Sequence, residues 1–249
     1  MKKLIGKILL RLKQTGNKKP DLSGFKNEFD LFNSLDVQKK LSNEWEDISP
    51  WLNDKIDATP FDAHYVFHPA WAARIVKKIN PTKHVDVSST VNFCTMLSAF
   101  IPTEYYEYRP VHLNLSSLLS KKADLSNLFF ETGSIESISC MHTIEHIGLG
   151  RYGDQINPDA DLKAIAELQR VVKKGGSLLL VVPVGKPRIQ FNAHRVYSFE
   201  LINDLFNDFD LQDFSLIDDA GSYLESADPG LVKQMVYGCG CFWYIKKNL

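Results

Sequence analysis

The stretch SIESISCMHTIEHIGLGRYGD, Ser134–Asp154, decides how this chain is read. Its first half, SIESISCM, reads as a β-strand. Its second half contains His142-x-x-Glu145-His146, spelled like the inverted zinc-protease motif. That motif works only when both histidines lie on one helix, because residues four apart then share a face. Here a strand comes immediately before it, and Gly148 and Gly150 stop any helix within about one turn. The sequence therefore predicts a loop at the carboxyl end of a strand, where open α/β sheets bind ligands. No metal site is expected from this motif.

Working outward, strands alternate with helical patterns from about residue 80. KHVDVSS (83–89) and TEYYEYRPV (103–111) read as short strands. GSLLLVVPVG (176–185) is continuously apolar, as a strand buried on both faces should be. The segment DADLKAIAELQRVV (159–172) carries Leu162, Ile165, Ala166, Val171 and Val172 near helical spacing, and KKGG supplies a basic, glycine-bearing stop. Ser198 is the N-cap candidate for the helix in SFELINDLF. LQDFSLID (211–218) and GCGCFWYIKK (238–247) read as a final antiparallel pair. The order β-α-β-α-β-α-β-α-β-β implies a doubly wound, mostly parallel sheet with an antiparallel edge.

Residues 1–80 look different: helical and irregular, with Trp45, Trp51 and Trp71 and no strand-like run. HPAWAARIVKKINP (68–81) is the best helix there, with Pro69 expected in its first turn and Pro81 just past its end. We expect a helical extension over 1–80, with His64, Tyr65 and His68 either lidding a pocket or packing as an aromatic cluster, and an α/β domain over 81–249. The first thirteen residues, MKKLIGKILLRLK, are basic and apolar at helical spacing. They fit a docked N-terminal helix or weak contact with a membrane surface. No cleavage site follows them, so they do not read as a signal peptide.

Composition narrows the function. The 249 residues hold 29 Lys+Arg against 30 Asp+Glu, a net charge of −1. Such a balance, with no basic stripe interleaved with aromatics, argues against nucleic acid as a partner. The four cysteines, Cys94, Cys140, Cys239 and Cys241, form no C-x-x-C pair, which points to reduced thiols and a cytoplasmic setting. No apolar run approaches the roughly 20 residues a membrane helix needs.

The segments DLSNLFFETGSIESISCMHTIEHI and KAIAELQRVVKKGGSLLLVVP resemble the middle of class I S-adenosylmethionine-dependent methyltransferases, and the likeness extends over roughly residues 80–249. Within that superfamily, HIGLGRYGD (146–154) and FNAHRV (191–196) are similar to blocks of an uncharacterised methyltransferase-like family. The resemblance implies a seven-stranded Rossmann-like sheet, S-adenosylmethionine as cofactor and a small-molecule acceptor, with surface polysaccharide or secondary products suggested as the setting. It implies that Asp86 orders the loop after the first strand and meets the methionine end of the cofactor. Glu107 would take the ribose hydroxyls, Asp124 and Leu125 the adenine, and Cys140, Met141 and His142 would lie under the sugar and sulfonium. The superfamily usually has D-x-G-x-G where this chain reads DVSST, with Ser88 and Thr90 at the glycine positions. Ser88 and Ser89 either donate hydrogen bonds from a reshaped loop or mark weakened binding.

For chemistry, His146, His194 and His142 are the candidate bases, with Glu145 to orient one of them. Arg151 and Arg195 could hold an anionic or sugar-linked acceptor in a bidentate fork. Tyr152, Asp154 and Asn192 add polar edges, unless Arg151 and Asp154 simply pair to hold a turn. We expect His146, Arg151, His194 and Arg195 to converge on one pocket. Two functional classes remain open: a small-molecule methyltransferase, or a non-catalytic binding module on the same fold.

Overall fold

The computed structural model describes residues 21–248 of the chain, so the basic N-terminal stretch 1–13 lies outside the described residues. The chain divides into two compact units, residues 1–60 and 61–249. In the first, helix α1 (Ser23–Leu35) is amphipathic, and Phe25 and Phe29 pack their rings against Trp45. Among the described residues no helix is long and apolar enough to cross a membrane.

The second unit opens with α2 (Ala63–Ile79), capped by Asp62, whose side chain accepts from the Tyr65 amide. The sequence expectation placed Pro69 in the first turn. The helix instead starts five residues before His68, leaving Pro69 in its interior. Then follow β1 (His84–Val87), α3 (Val91–Leu97), β2 (Thr103–Glu107), β3 (Leu118–Lys122), β4 (Ile135–Met141), α4 (Ala160–Val171) and β5 (Val172–Val184). A hairpin β6 (Arg188–Gln190) and β7 (His194–Val196) precedes α5 (Phe199–Leu205), β8 (Phe209–Ile217), β9 (Tyr223–Leu224) and β10 (Gly238–Lys246).

The main sheet runs β3-β2-β1-β4-β5-β10-β8-β9, parallel through β5 and then antiparallel at β10 and β9. This is the expected doubly wound sheet, with eight strands where seven were expected; the two-residue β9 adds an edge. Two further differences are local. No helix lies between β2 and β4, where the exposed edge strand β3 sits instead. KKGG does not separate α4 from β5, because the strand begins at Val172, directly after the helix.

Alternation along β5 builds the two faces of the core. Leu178, Leu180 and Val182 meet Ala164, Ile165 and Leu168 of α4 and Ile202 of α5. Leu179 and Val181 face the other way, with Trp71 and Val76 of α2, Phe93 of α3, and Cys239 and Cys241 of β10. On α4 the expected stripe is shifted, since Leu162 points outward while Ala164, Ile165, Leu168 and Val171 are buried.

Chain order reverses between β1 and β4, so a crevice opens at their carboxyl ends. Because β10 runs antiparallel to β5, with Gly238 opposite Val184, the start of β10 arrives at the same edge. That reversal brings Tyr237 and Cys239 to a site otherwise built from segments far earlier in the chain.

Candidate functional site

Asp86 and His84 alternate with Val85 in β1, and both side chains are fully buried. Ser139 Oγ donates a short hydrogen bond to Asp86 Oδ2, while the Ser89 amide donates to Oδ1 at 3.0 Å. Both His84 ring nitrogens lie 2.8 Å from hydroxyls, Nδ1 from Ser137 and Nε2 from Ser139. Burial lowers His84 to about 3, so the ring is neutral. Since Ser139 spends its proton on Asp86, Nε2–H must donate to Ser139 and Nδ1 must accept from Ser137. Burial also pushes Asp86 up to about 6, against the pull of its bonds from Ser139 and Ser89. Asp86 therefore orders the loop. The expectation that it also meets a ligand is corrected: the carboxyl has no exposed surface and both oxygens are engaged.

Ser88 stands at a glycine position of the resembled superfamily. Its φ of 60° lies in the left-handed region, which glycine adopts freely. Its amide bonds the Tyr106 carbonyl at 2.7 Å, and its own carbonyl accepts from Thr143 Oγ1 at 2.9 Å. Ser89 Oγ accepts from the Met141 amide at 3.0 Å, and Thr90 caps α3. The serines thus pin the loop to the ends of β2 and β4.

Glu107 ends β2, half-buried, with Oε1 accepting from the Arg109 amide at 3.1 Å. Asp124 is exposed just beyond β3 and folds its turn by accepting from the Ser126 amide at 2.8 Å. Leu125 is buried in the core cluster, a packing position.

Beyond β4 the HTIEH segment lies in the loop at the strand's carboxyl end, where Ile144–His146 forms a short 3₁₀ turn. His142 and Glu145 are both buried, and their Nδ1 and Oε1 atoms lie 2.9 Å apart. The second Glu145 oxygen, Oε2, has no hydrogen-bond partner. His146 Nδ1 lies 2.6 Å from the Ala193 carbonyl, which fixes the proton on Nδ1. Arg151 donates to the same carbonyl at 3.1 Å. His146 Nε2 is left 3.8 Å from Glu145 Oε1. The RYGD turn is not held by an Arg151–Asp154 pair. Asp154 instead accepts from the amides of Gly148 (2.7 Å), Gly150 (3.3 Å) and Tyr152 (3.2 Å). Burial raises its carboxyl, but these donors outweigh it and hold the group below the usual range. Gly148, at φ 80°, is required here, since a Cβ would sit 2.1 Å from the Asn157 carbonyl oxygen.

The β6–β7 hairpin carries His194, whose ring centroid is 6.3 Å from that of His146 and 4.8 Å from that of Tyr237. Burial, then the nearby His146, lowers the His194 pKa. His146, His194 and Arg151 are thus brought together. Arg195 is not. Only 4% exposed, it turns away and donates to the carbonyls of Ile147 (2.7 Å) and Pro158 (3.0 Å), with Nε 3.3 Å from Asp161 Oδ2. Its assignment to an acceptor site is corrected: the planar fork of donors is spent on tying loops together.

On the α2 side, the His64 and Tyr65 rings stack against His142 at 5.5 and 5.4 Å, and His68 tilts against it at 5.1 Å. Tyr237 stacks on His64, and burial pushes its hydroxyl up to about 12. The rings continue from His146 to Tyr152, with the Arg109 guanidinium 4.8 Å over Tyr152. Sequence reasoning missed Tyr237, Cys239, Arg109 and Asp161. Only the fold topology, which folds the C-terminal strand back onto β5, could have pointed to the first two.

Comparison with known proteins bears on the fold. A family described as "Caenorhabditis protein of unknown function, DUF268" matches residues 111–228, just under half the chain. No curated protein matches. Among solved structures, the chain is similar to a candidate methyltransferase from Bacillus halodurans, with a TM-score of 0.51 at 12% identity, covering 72% of this chain and 99% of that one. It is also similar to the Burkholderia thailandensis 1,6-didemethyltoxoflavin-N1-methyltransferase, solved with bound 1,6-didemethyltoxoflavin and S-adenosylhomocysteine. There the TM-score is 0.51 at 11% identity, over 73% of this chain and 79% of that one. The second unit therefore has the Rossmann-like fold of class I methyltransferases.

Proposed function

We propose that this chain transfers a methyl group from S-adenosylmethionine to a small, negatively charged acceptor. The observation that carries the reading is the pairing, on a methyltransferase fold, of a carboxylate at the end of β2 with a tautomer-fixed imidazole after β4.

The donor set suits the cofactor. Glu107 would accept from the ribose hydroxyls, and Asp124 stands beyond the next strand for the adenine amine. Glu145 Oε2, buried without a partner, offers negative charge on the side of a sulfonium. The backbone at Ser88 already takes the conformation a glycine would supply, so the serine does not by itself favour a non-catalytic binding module. When bound, S-adenosylmethionine supplies an electrophilic methyl group. His146 does the proton work: with Nδ1–H held by Ala193, its Nε2 is free to take the acceptor's proton. Glu145 Oε1, 3.8 Å from that nitrogen, stabilises the resulting cation. Arg151 and Arg109, both beside Tyr152, give the mouth its positive charge, and this supports an anionic acceptor in place of the role first given to Arg195. Calorimetric titration with S-adenosylhomocysteine tests the reading, which fails if the wild type shows no heat of binding at millimolar ligand.

A further inference from the structure

We propose that His64, His142 and Cys239 form a site for a divalent cation of the zinc class, which takes His142 from the H-x-x-E-H segment but draws its other ligands from α2 and β10. This inference rests on the geometry alone and stands whether or not the chain transfers methyl groups. The ligand atoms of the three residues all lie within 4.8 Å of one another, the one such group of histidine, cysteine and carboxylate side chains among the described residues. Cys239 Sγ and His142 Nε2 are 3.3 Å apart. Zinc–nitrogen and zinc–sulfur bonds of about 2.0–2.1 and 2.3 Å in a tetrahedron put such atoms roughly 3.3–3.7 Å apart, so the Cys239–His142 pair is already at ligand spacing and the group closes on an ion once its longest separation contracts by about 1 Å.

The surroundings also suit a cation. Glu145 Oε1 holds His142 Nδ1 at 2.9 Å, which turns Nε2 and its lone pair toward Cys239. A carboxylate behind a ligating histidine is the usual outer support of a zinc site. The Glu145 carboxylate is fully buried with one oxygen unpartnered. With the Cys239 thiol proton released to solvent on binding, the carboxylate and the thiolate together balance a double positive charge, leaving the buried site neutral. His68, one turn along α2 from His64, is fully buried with neither ring nitrogen hydrogen-bonded. His146 takes no part, because it is not a member of this group; its Nε2 lies 3.8 Å from Glu145 Oε1 instead. Three protein ligands leave a fourth position for water or for an oxygen, nitrogen or sulfur atom of a small ligand.

Titration of the full chain with cobalt(II) reads out this site by spectroscopy. One equivalent should bind, giving the visible bands of four-coordinate cobalt and a near-ultraviolet thiolate-to-cobalt band. Cys239→Ser should remove the thiolate band, whereas Cys241→Ser should keep it. His64→Asn should weaken binding at least tenfold, and Glu145→Gln by about 10–100-fold with the stoichiometry unchanged. His64 is half-buried on α2, so its variant decides the matter if Cys239→Ser does not fold, as judged by circular dichroism. No cobalt bands at excess metal, a thiolate band that survives Cys239→Ser, or binding indifferent to His64→Asn in folded protein would each overturn the proposal.

Discussion

Replacing Arg195 with alanine should damage the fold, not the acceptor chemistry. The side chain is 5% exposed and its ion partner Asp161 is 8% exposed, so the pair is desolvated. Arg195→Ala leaves Asp161 buried with the Tyr197 hydroxyl, at 3.0 Å, as its remaining close donor. It also strips the carbonyls of Ile147 and Pro158 of their guanidinium donor. Removing one partner of a buried pair costs about 3–5 kcal/mol. At roughly 2–4 °C per kcal/mol for a chain of this size, the melting temperature should fall by about 6–20 °C. Arg151→Ala, at an exposed position, should cost under about 0.5 kcal/mol. Urea and thermal unfolding by circular dichroism measure both. A paired replacement, Arg195→Met with Asp161→Leu, should recover part of the loss because no charge is then stranded. An Arg195→Ala chain that loses almost no stability would refute the assignment of this arginine to the framework.

Three other outcomes are expected. Glu107→Ala should weaken S-adenosylhomocysteine binding by about 1–3 kcal/mol in calorimetry, the loss expected for hydrogen bonds to a charged group; an unchanged affinity would remove Glu107 from the site. Asp86 titrates at about 6 in the folded chain, against about 3.9 unfolded. The native state therefore binds the extra proton, and this group's stabilisation is complete below about pH 4 and lost as pH rises through about 6. Unfolding free energies from pH 4 to 7 should show Asp86→Asn gaining on wild type by about 2–3 kcal/mol as pH rises; a flat difference would mean the carboxyl is not raised. Gly148→Ala combines a left-handed φ with backbone contact at 2.1 Å, and should cost more than about 2 kcal/mol. Gly153 has φ 81° and nothing within 4 Å of a Cβ. Gly153→Ala should therefore cost only about 1–2 kcal/mol, and equal losses for the two glycines in urea unfolding would contradict the clash.

How much of this was legible in the sequence depends on whether a local pattern or a distant contact decides each feature. GSLLLVVPVG announced β5 because a strand covered on both faces must be apolar throughout. β3 did not announce itself: Leu118-Leu119-Ser120-Lys121-Lys122 is a half-exposed edge with no alternation to read. The loop position of the HTIEH segment followed from the strand before it, and so did the meeting of His146 with His194. Arg195 was misread because an arginine in a polar block is spelled the same whether it faces a crevice or is folded back onto carbonyls. Likewise, RYGD does not reveal that Asp154 is bonded to amides instead of to Arg151. Cys239 is 97 residues from His142, and no spacing rule joins them.

The Ala193 carbonyl, shared by His146 and Arg151, sits at the turn between β6 and β7. That hairpin is a two-stranded ribbon outside the main sheet. Its second strand is tied down where Tyr197 bridges Val184 and where Arg195 is held by Ile147, Pro158 and Asp161, which leaves the turn at Ala193 as the part outside those ties. If that turn lifts, His146 loses the acceptor that locks its proton on Nδ1, and Arg151 loses its anchor in the same motion. The tautomer of the imidazole and the placement of the guanidinium thus hang on one carbonyl, so any displacement of that turn changes the base and the charge beside it together.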